Sequence, residues 1–502
     1  MLHRLLSVVL PAAVILAAGG SAAGQDERFR QKPPAPDPRP EIRLPRLESA
    51  TLTNGLQVTV AFRDPAPMTS LFLVLSAGEQ ASPKHAPGLA SLASGVFGQG
   101  TQLRSAADLE ENIERIGGSF AATADRDVIL ISFHFLEEHL DQALALLAEM
   151  ILQPRISERE MKIIQSMISS AMSAQERNPF FLADRIMSGR LFEGHPYEHY
   201  SFGRAAMRAW TVRDLLEFWD RNIRPNNAQV ILAGAVNINL ATRKISHALA
   251  TWRPRESERK PIPPPRPPER DRFIFIDLPQ DTQCAICAGT VLPPLAPVER
   301  FSLLALSQLL GGSITSRLFL NLREKRSYAY ETGSRSEFYR AGGVFAVRAL
   351  VEPRHAAAAV REIFSEIKLL TREPPSSQEI DDAKSVLLGG FPLRLDRIDD
   401  FAGYVASMKA TGAGDEIWSR FAENVIGIDS DGIFQGAKKF LAQPLVVVMA
   451  GSLKLCRESL AEFEEVEILD ARGQSIETIR RSDIKGDGDE ISRMCPELQR
   501  GT

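Results

Sequence analysis

The sequence predicts an α+β protein of two similar halves, each a mostly antiparallel sheet packed with helices, joined by a Pro-rich linker as a clamshell. Three observations predict it. Both halves open with strand patterns and continue with helical ones. Both close with a capped helix, a proline and an apolar strand ending in Ala-Gly, so that Asp214 lies 20 residues before Gly234 and Asp431 lies 20 before Gly451. Between them runs Pro254 to Pro268, where PIPPPRPP sits among charged residues, a linker composition. Duplication of one α+β unit is the economical explanation. Two apolar-faced units joined by such a strap enclose a cleft, where ligands commonly bind.

Composition sets the outer bounds. At 502 residues the chain is too long for one ordinary domain. With 44% hydrophobic and 24% charged residues it is globular, not disordered, collagen-like or a multi-span membrane protein. A net charge of −4, from 59 basic and 63 acidic residues, gives no electrostatic reason to expect nucleic acid or an anionic membrane as partner. Four cysteines in a chain of this size do not make a disulfide scaffold.

The elements follow in chain order. Residues 1–24 read as a signal peptide: His3 and Arg4, an apolar run from Leu5 to Ala18, then small residues, with cleavage expected near Ala23 or Gly24. An uncleaved anchor is the alternative, but the run is short for a span and holds Pro11. The mature chain is therefore expected to be exported, most simply to a periplasm, with no membrane span. Residues 25–43 form a proline-rich leader. The first domain, 44–253, carries strand patterns at Gly55 to Phe62 and Thr69 to Ser76 and helical patterns at Ala106 to Ile116 and Leu140 to Leu152. It ends on the helix Thr211 to Ile223 and the strand QVILAG. After the linker, 254–270, the second domain, 271–470, has a strand at Phe273 to Asp277 and helices at Glu299 to Leu310 and Ala356 to Leu370. It closes with the helix Asp429 to Leu441 and the strand LVVVMAG. Residues 471–502 are polar and weakly periodic from Ser475 onward and read as a loosely ordered tail. Cys284 and Cys287 form a C-x-x-C, but in a strand positions three apart face opposite ways, and no second pair completes a zinc site.

Several segments then stand in a familiar order: TLTNGLQVTV, LFLVLSAGEQ, GLASLASGVFGQGT, ERIGGSFAAT, NPFFLADRIMSGRLFEGHPY and, in the second half, LLGGSITSRLFLNLREKRSYAYETGS. From about Leu44 to Leu469 the chain resembles the pitrilysin/insulinase metallopeptidases, which include the mitochondrial processing peptidases. Active members carry H-x-x-E-H on a helix, two His binding zinc and the Glu polarising water, with a second Glu completing the site. In the matching frame, Gly88-Leu89-Ala90 to Gly100-Thr101, the ligand positions hold Ser91 and Gly95 and the water-polarising position holds Ser94. The second Glu is expected at Ser170 to Met172, which contains no acid. A serine hydroxyl is a poor zinc ligand and glycine has no side chain, so this half is expected to bind no catalytic metal. The resemblance also implies a substrate-side strand at Gly117, Gly118, Ala121 and Ala122, with Ala121 where an Asn is usual.

Two stretches imitate the missing motif. His195-Pro-Tyr-Glu198-His199 is a literal H-x-x-E-H, yet Pro196 permits only a helix start with His195 outside it as cap. His134-Phe-Leu-Glu-Glu-His139 has the spacing wrong by one and reads as a strand end passing into a helix.

The second half of family members supplies an Arg and a Tyr seven residues apart that contact the scissile peptide, the Tyr helping to stabilise the oxyanion. Arg323 and Tyr330 have this spacing, with Ser316 and Arg317 matching upstream; Arg326 and Tyr328 are nearby alternatives that the spacing disfavours. A chain that keeps this pair and lacks the metal side implies a division of labour. It is expected to be the metal-free subunit of a heterodimeric exported peptidase, inactive alone, holding no cofactor itself. Its partner would be a homologous chain with an intact H-x-x-E-H and zinc, its substrates extended peptides. The alternatives are a non-catalytic scaffold or peptide-binding protein, and a self-sufficient zinc peptidase using His195, Glu198 and His199.

Overall fold

A computed structural model describes residues 45–62, 67–255, 261–393, 395–414, 417 and 419–481. The predicted signal peptide and leader, part of the linker and the end of the tail with Cys495 lie outside the described residues.

The first half forms a six-stranded sheet from β1 (Leu47–Thr51), β2 (Gln57–Phe62), β3 (Met68–Leu75), β4 (Ser119–Ala124), β5 (Ile129–Leu136) and β6 (Ala228–Gly234). The spatial order is β1-β2-β6-β3-β5-β4, and only β2 and β6 run parallel. On β3, Leu71, Leu73 and Leu75 alternate with Phe72 and Val74, and all five are buried. Such a strand is covered on both faces, and each of these side chains contributes about 2 kcal/mol of burial. The helices of this half are α1 (Leu89–Val96), α2 (Ala106–Arg115), α3 (Leu140–Leu152), α4 (Glu158–Gln175), α5 (Pro179–Leu191), α6 (Val212–Asn222) and α7 (Ile238–Ala248).

The second sheet has seven strands: β7 (Arg272–Asp277), β8 (Cys284–Leu292), β9 (Ala329–Tyr339), β10 (Gly342–Val351), β11 (Val446–Gly451), β12 (Glu465–Leu469) and β13 (Ser475–Arg480), in the order β13-β12-β7-β11-β8-β10-β9. Its helices are α8 (Pro297–Ser307), α9 (Ala356–Leu370), α10 (Ser377–Leu393), α11 (Ile398–Ala410), α12 (Phe421–Ile426), α13 (Ser430–Phe440) and α14 (Leu453–Leu460). Two π-helical turns, Gln308–Gly312 and Phe319–Lys325, lie between α8 and β9.

The duplication is explicit in the pairing. Strands β2, β6, β3, β5 and β4 correspond in order and sense to β7, β11, β8, β10 and β9. The closing helices are capped alike: Thr211 Oγ1 accepts from Asp214 N at 3.1 Å, and Asp429 Oδ1 accepts from Gly432 N at 2.7 Å. Such caps satisfy helix-end donors that would otherwise have no partner.

The helices do not all stay with their own sheet. α5 belongs to the first half in sequence but packs on β8 and β11, where Leu182, Met187 and Leu191 join Ile274, Val291, Val446 and Val448 in one buried cluster. α11 makes the reciprocal crossing onto β3 and β6. Both crossings use glycine for close approach. A β-carbon on Gly289 would stand 3.0 Å from Met187 Sδ, and one on Gly403 would stand 3.3 Å from Phe72 Cζ. The first sheet is drawn from strands between Leu47 and Gly234 and the second from strands between Arg272 and Arg480, while the helical layers interlock.

One expectation needs correction. Ser475 to Arg480 is not loose tail but β13, paired antiparallel with β12, with Ile479 buried. A tight turn makes the hairpin: Asp470 N donates to Gln474 O, Asp470 Oδ1 accepts from Arg472 N and Gln474 N, and Gly473 takes φ +82°. The Asp and Gly of DARGQ carried that signal.

Candidate functional site

The helix expected to bear the metal is α1, and it begins at a turn that a glycine makes possible. Gly88 has φ +86°, and a β-carbon there would stand 2.6 Å from Trp210 and 2.7 Å from Phe202. The turn wraps a buried carboxylate that the sequence reading missed. Glu79 accepts from Ser82 Oγ at 2.7 Å, Gly88 N at 3.1 Å, Ser91 N at 2.8 Å and Ser91 Oγ at 2.5 Å. Burial pushes the Glu79 carboxyl above its usual range, and these four donors pull against that shift. An isolated acid in the apolar run LFLVLSAGEQ was the available signal.

The lost metal positions are occupied by other business. The Ser91 hydroxyl is held by Glu79, and Ser94 Oγ donates to Ser91 O at 2.9 Å. A β-carbon on Gly95 would lie 2.4 Å from Ile164 Cγ2 of α4. In the stretch expected to hold the second Glu, Met172 is buried in the core while Ser170 and Ala171 face outward. Imidazole or carboxylate ligands are what a zinc ion needs here, and these residues do not fit it. Among the described residues, no group of three or more His, Cys, Asp or Glu stands together to hold a metal ion.

The reading of His195, Glu198 and His199 as a self-sufficient zinc site is corrected by local geometry. Pro196–Ser201 forms a 3₁₀-helix, in which residues three apart eclipse and residues four apart diverge. His195 caps it from outside: Nδ1 accepts from Tyr197 N at 3.1 Å, and Nε2 donates to Pro263 O of the linker at 2.8 Å. Both ring nitrogens are engaged, and Glu198 Oε2 accepts from Gly194 N at 2.7 Å. His134 sits within β5, where Nδ1 meets Ser70 Oγ at 2.9 Å, and His139 lies at the start of α3.

Tyr197, between the two imidazoles, is fully buried and joins the halves. Its hydroxyl donates to Asp127 Oδ1 at 2.7 Å and accepts from Ala341 N at 2.9 Å. The other Asp127 oxygen accepts from Arg340 N at 2.8 Å. The turn between β4 and β5 is thus fastened to the turn between β9 and β10. The neighbouring Arg126 guanidinium lies 4.2 Å from the Tyr200 ring centre and 4.6 Å from that of Tyr339, and donates to Ser188 Oγ at 2.6 Å.

Arg323 and Tyr330 stand side by side. Arg323 lies in the second π-helical turn, which ends at Lys325, Ser327 takes the left-handed φ of +54°, and β9 begins at Ala329. A left-handed residue is a common helix terminator, though rarely a serine. Arg323 Nη1 donates to Tyr330 O at 2.8 Å. A register shift in the β9–β10 pairing, next to Val351, leaves Tyr330 without an opposite number. Such a bulge re-aims a side chain, and Tyr330 is 55% exposed. Upstream, Ser316 Oγ donates to Ser313 O at 2.6 Å and is buried, and Arg317 pairs with Glu379 at 2.6 Å.

Gly117 and Gly118 form the turn from α2 into β4. Gly117 takes φ +64°, and a β-carbon on Gly118 would lie 2.8 Å from Ile113 O. β4 is the outer strand of its sheet, with Ala121 exposed and Ala122 half-buried. α1 packs against it. The C-x-x-C has no site character: Cys284 and Cys287 are both buried on β8, and burial pushes the Cys287 thiol up to about 12.

Comparison with known proteins identifies the family and the fold. A model described as Insulinase (Peptidase family M16) matches residues 58–196, and one described as Peptidase M16 inactive domain matches residues 209–387. An uncharacterized zinc protease of Rickettsia felis is 25% identical over 67% of this chain and 81% of its own. A non-peptidase homolog, YmxG, of Helicobacter pylori is 24% identical over 70% and 83%. Among solved structures, a peptidase M16 inactive domain from Pseudomonas fluorescens superimposes with a TM-score of 0.74 at 21% identity, covering 81% of this chain and 98% of that one. The periplasmic protease PqqL from Escherichia coli gives a TM-score of 0.69 at 15% identity, over 81% of this chain and 45% of that one. No helix among the described residues is long and apolar enough to cross a membrane. With both halves matched in sequence and the duplicated two-sheet fold in place, this chain belongs to the insulinase family of peptidases, M16.

Proposed function

We propose that this chain is the metal-free subunit of an exported two-chain peptidase, and that it supplies Arg323 and Tyr330 to a cleft completed by a zinc-bearing partner of the same fold. One contrast carries the reading. The metal positions on α1 hold Ser91, Ser94 and Gly95 against Ile164, whereas the Arg–Tyr pair of the other half is assembled and exposed. A side chain kept at a strained turn and a bulge, with its ring in solvent, is poorly explained by packing alone.

The partner would supply the cation and its polarised water. Arg323 has four further N–H groups beyond the one given to Tyr330 O, enough to hold a peptide carbonyl. The Tyr330 hydroxyl would donate to the oxyanion as it forms. The open edge of β4, with small side chains at Ala121 and Ala122, suits an extended peptide added as a further strand. The length relation to PqqL supports a second unit, because one chain of that protease is about twice the length matched here. Its periplasmic setting agrees with the signal-like N-terminus.

The test is reconstitution. The chain is produced alone and with a zinc-bearing M16 chain from the same genome, and peptide cleavage is followed. Activity that needs both chains and falls with Arg323→Ala or Tyr330→Phe supports the proposal; full activity of the partner alone, or of the double variant, removes it. A peptide-binding scaffold is the second reading, favoured by the non-peptidase name of one relative, and reconstitution without cleavage would point to it.

A further inference from the structure

The second half holds a cavity of about 510 Å³ between α8, β9, α10 and α11, within the size range of ligand sites. By element order α8, β9 and α10 are the counterparts of α1, β4 and α4. The cavity therefore occupies, in the second half, the place that the metal site would take in the first. In the first half Ile164 packs that place shut at Gly95; in the second it stays open. Its walls are apolar, with Phe301, Phe338, Phe391, Met408 and Phe421 among them.

Of the polar side chains that border it, Ser336, Ser407 and Thr411 give their hydroxyls to main-chain carbonyls, whereas Arg300 and Gln308 keep groups unspent. Arg300, Leu304 and Gln308 lie four residues apart along α8 and its π-helical continuation and all border the cavity. The Arg300 Nε is enclosed and has no hydrogen-bond partner. Its Nη1 reaches Thr411 Oγ1 at only 3.3 Å, and its guanidinium lies 5.5 Å from the Phe338 ring centre. Among the described residues no acid offsets its charge; desolvation alone holds its pKa below the usual guanidinium value. Gln308 Oε1 is likewise enclosed and without a partner. Buried polar groups are nearly always satisfied, and each exception calls for an explanation. A cation and a side-chain amide with unmet hydrogen-bonding capacity, on two residues that border an apolar space, specify a ligand that is apolar, bears an anion, and has an N–H nearby.

We propose that this cavity binds the apolar C-terminal residue of a peptide, its carboxylate on Arg300, its N–H on Gln308 and its side chain among the phenylalanines. From Tyr330 to Ser336 on β9, which also borders the cavity, an extended chain covers about 20 Å. A peptide end seated here can thus run toward the Arg–Tyr pair. The proposal does not need the partner subunit and is tested without it.

The test is calorimetric titration of the full chain with N-acetyl-phenylalanine, with its carboxamide, and with 3-phenylpropionate, which lacks the N–H. The expected result is saturable one-to-one binding of the acid. The carboxamide, and the Arg300→Met variant, should each weaken it about tenfold or more, as loss of a charge-assisted hydrogen bond does. Gln308→Leu and 3-phenylpropionate should weaken it several-fold. Gly390→Leu, at a position on α10 with open space around its Cα, fills the cavity and should abolish binding while the melting temperature holds. No saturable binding, or binding unchanged by Arg300→Met or Gly390→Leu, overturns the site. Equal binding of acid and carboxamide overturns the carboxylate assignment, and tighter binding of 3-phenylpropionate than of N-acetyl-phenylalanine overturns the peptide end in favour of a free apolar acid.

Discussion

Ile164 of α4 fills the space that any side chain at Gly95 of α1 would require, its Cγ2 lying 2.4 Å from the place of the missing β-carbon. The metal position is thus lost twice, once in the residue and once in the neighbour that closes over it. Gly95→His should destabilise the chain by about 2 to 3 kcal/mol through overpacking. The triple variant Ser91→His, Ser94→Glu, Gly95→His should take up no stoichiometric zinc. Adding Ile164→Gly should recover part of the lost stability, as expected for residues in contact. Urea unfolding and metal content per chain measure both outcomes.

The Tyr197 hydroxyl serves Asp127 and the amide of Ala341 at once. Tyr197→Phe leaves a buried carboxylate oxygen and a buried N–H without partners, and should cost about 2 to 3 kcal/mol. Because these groups fasten two turns from different halves, amide exchange should rise first at Arg340 and Ala341. Exchange that rises only at the chain ends would contradict this role.

His195 is neutral in the folded chain, since Nε2–H faces Pro263 O while Nδ1 accepts from Tyr197 N. Burial depresses its pKa, as it does for His134. The unfolded chain gains a proton near pH 6.5 that the folded chain resists. Stability is therefore full above that pH and is lost as pH falls below it. Unfolding free energies at pH 7.5 and 5.5 should show the drop. His195→Asn, which keeps a helix-capping acceptor, should reduce the drop, with His134 supplying part of the remainder.

Tyr330→Phe removes an exposed hydroxyl that makes no hydrogen bond among the described residues, so its effect on stability should stay within about 0.5 kcal/mol. Under the proposed function, the same change should lower turnover of the reconstituted enzyme about a hundredfold, the scale of one oxyanion donor. A loss of melting temperature in step with activity would assign the residue to packing instead.

Much of the fold was legible in the sequence because it was written in local periods. The α3 helix, Leu140–Leu152, and α9, Ala356–Leu370, begin and end where their apolar spacing stops. The helix caps at Thr211 and Asp429 and the Pro-rich strap marked the repeat before any coordinates were needed. β13 was missed because six residues of alternating pattern are a weak signal until β12 stands beside them.

The chemistry divides in the same way. The sequence by itself determined that α1 has no metal ligands, since no fold can give Gly95 a side chain or Ser94 a carboxylate. It also set Arg323 and Tyr330 seven residues apart. Only the tertiary structure decided that the literal H-x-x-E-H is a 3₁₀ turn pinned to the linker, that Glu79 and Ile164 occupy the vacated place, and that α5 and α11 cross to each other's sheets. Those outcomes depend on which surfaces meet across hundreds of residues. Packing and desolvation set them, and neither has a period that a linear sequence can display.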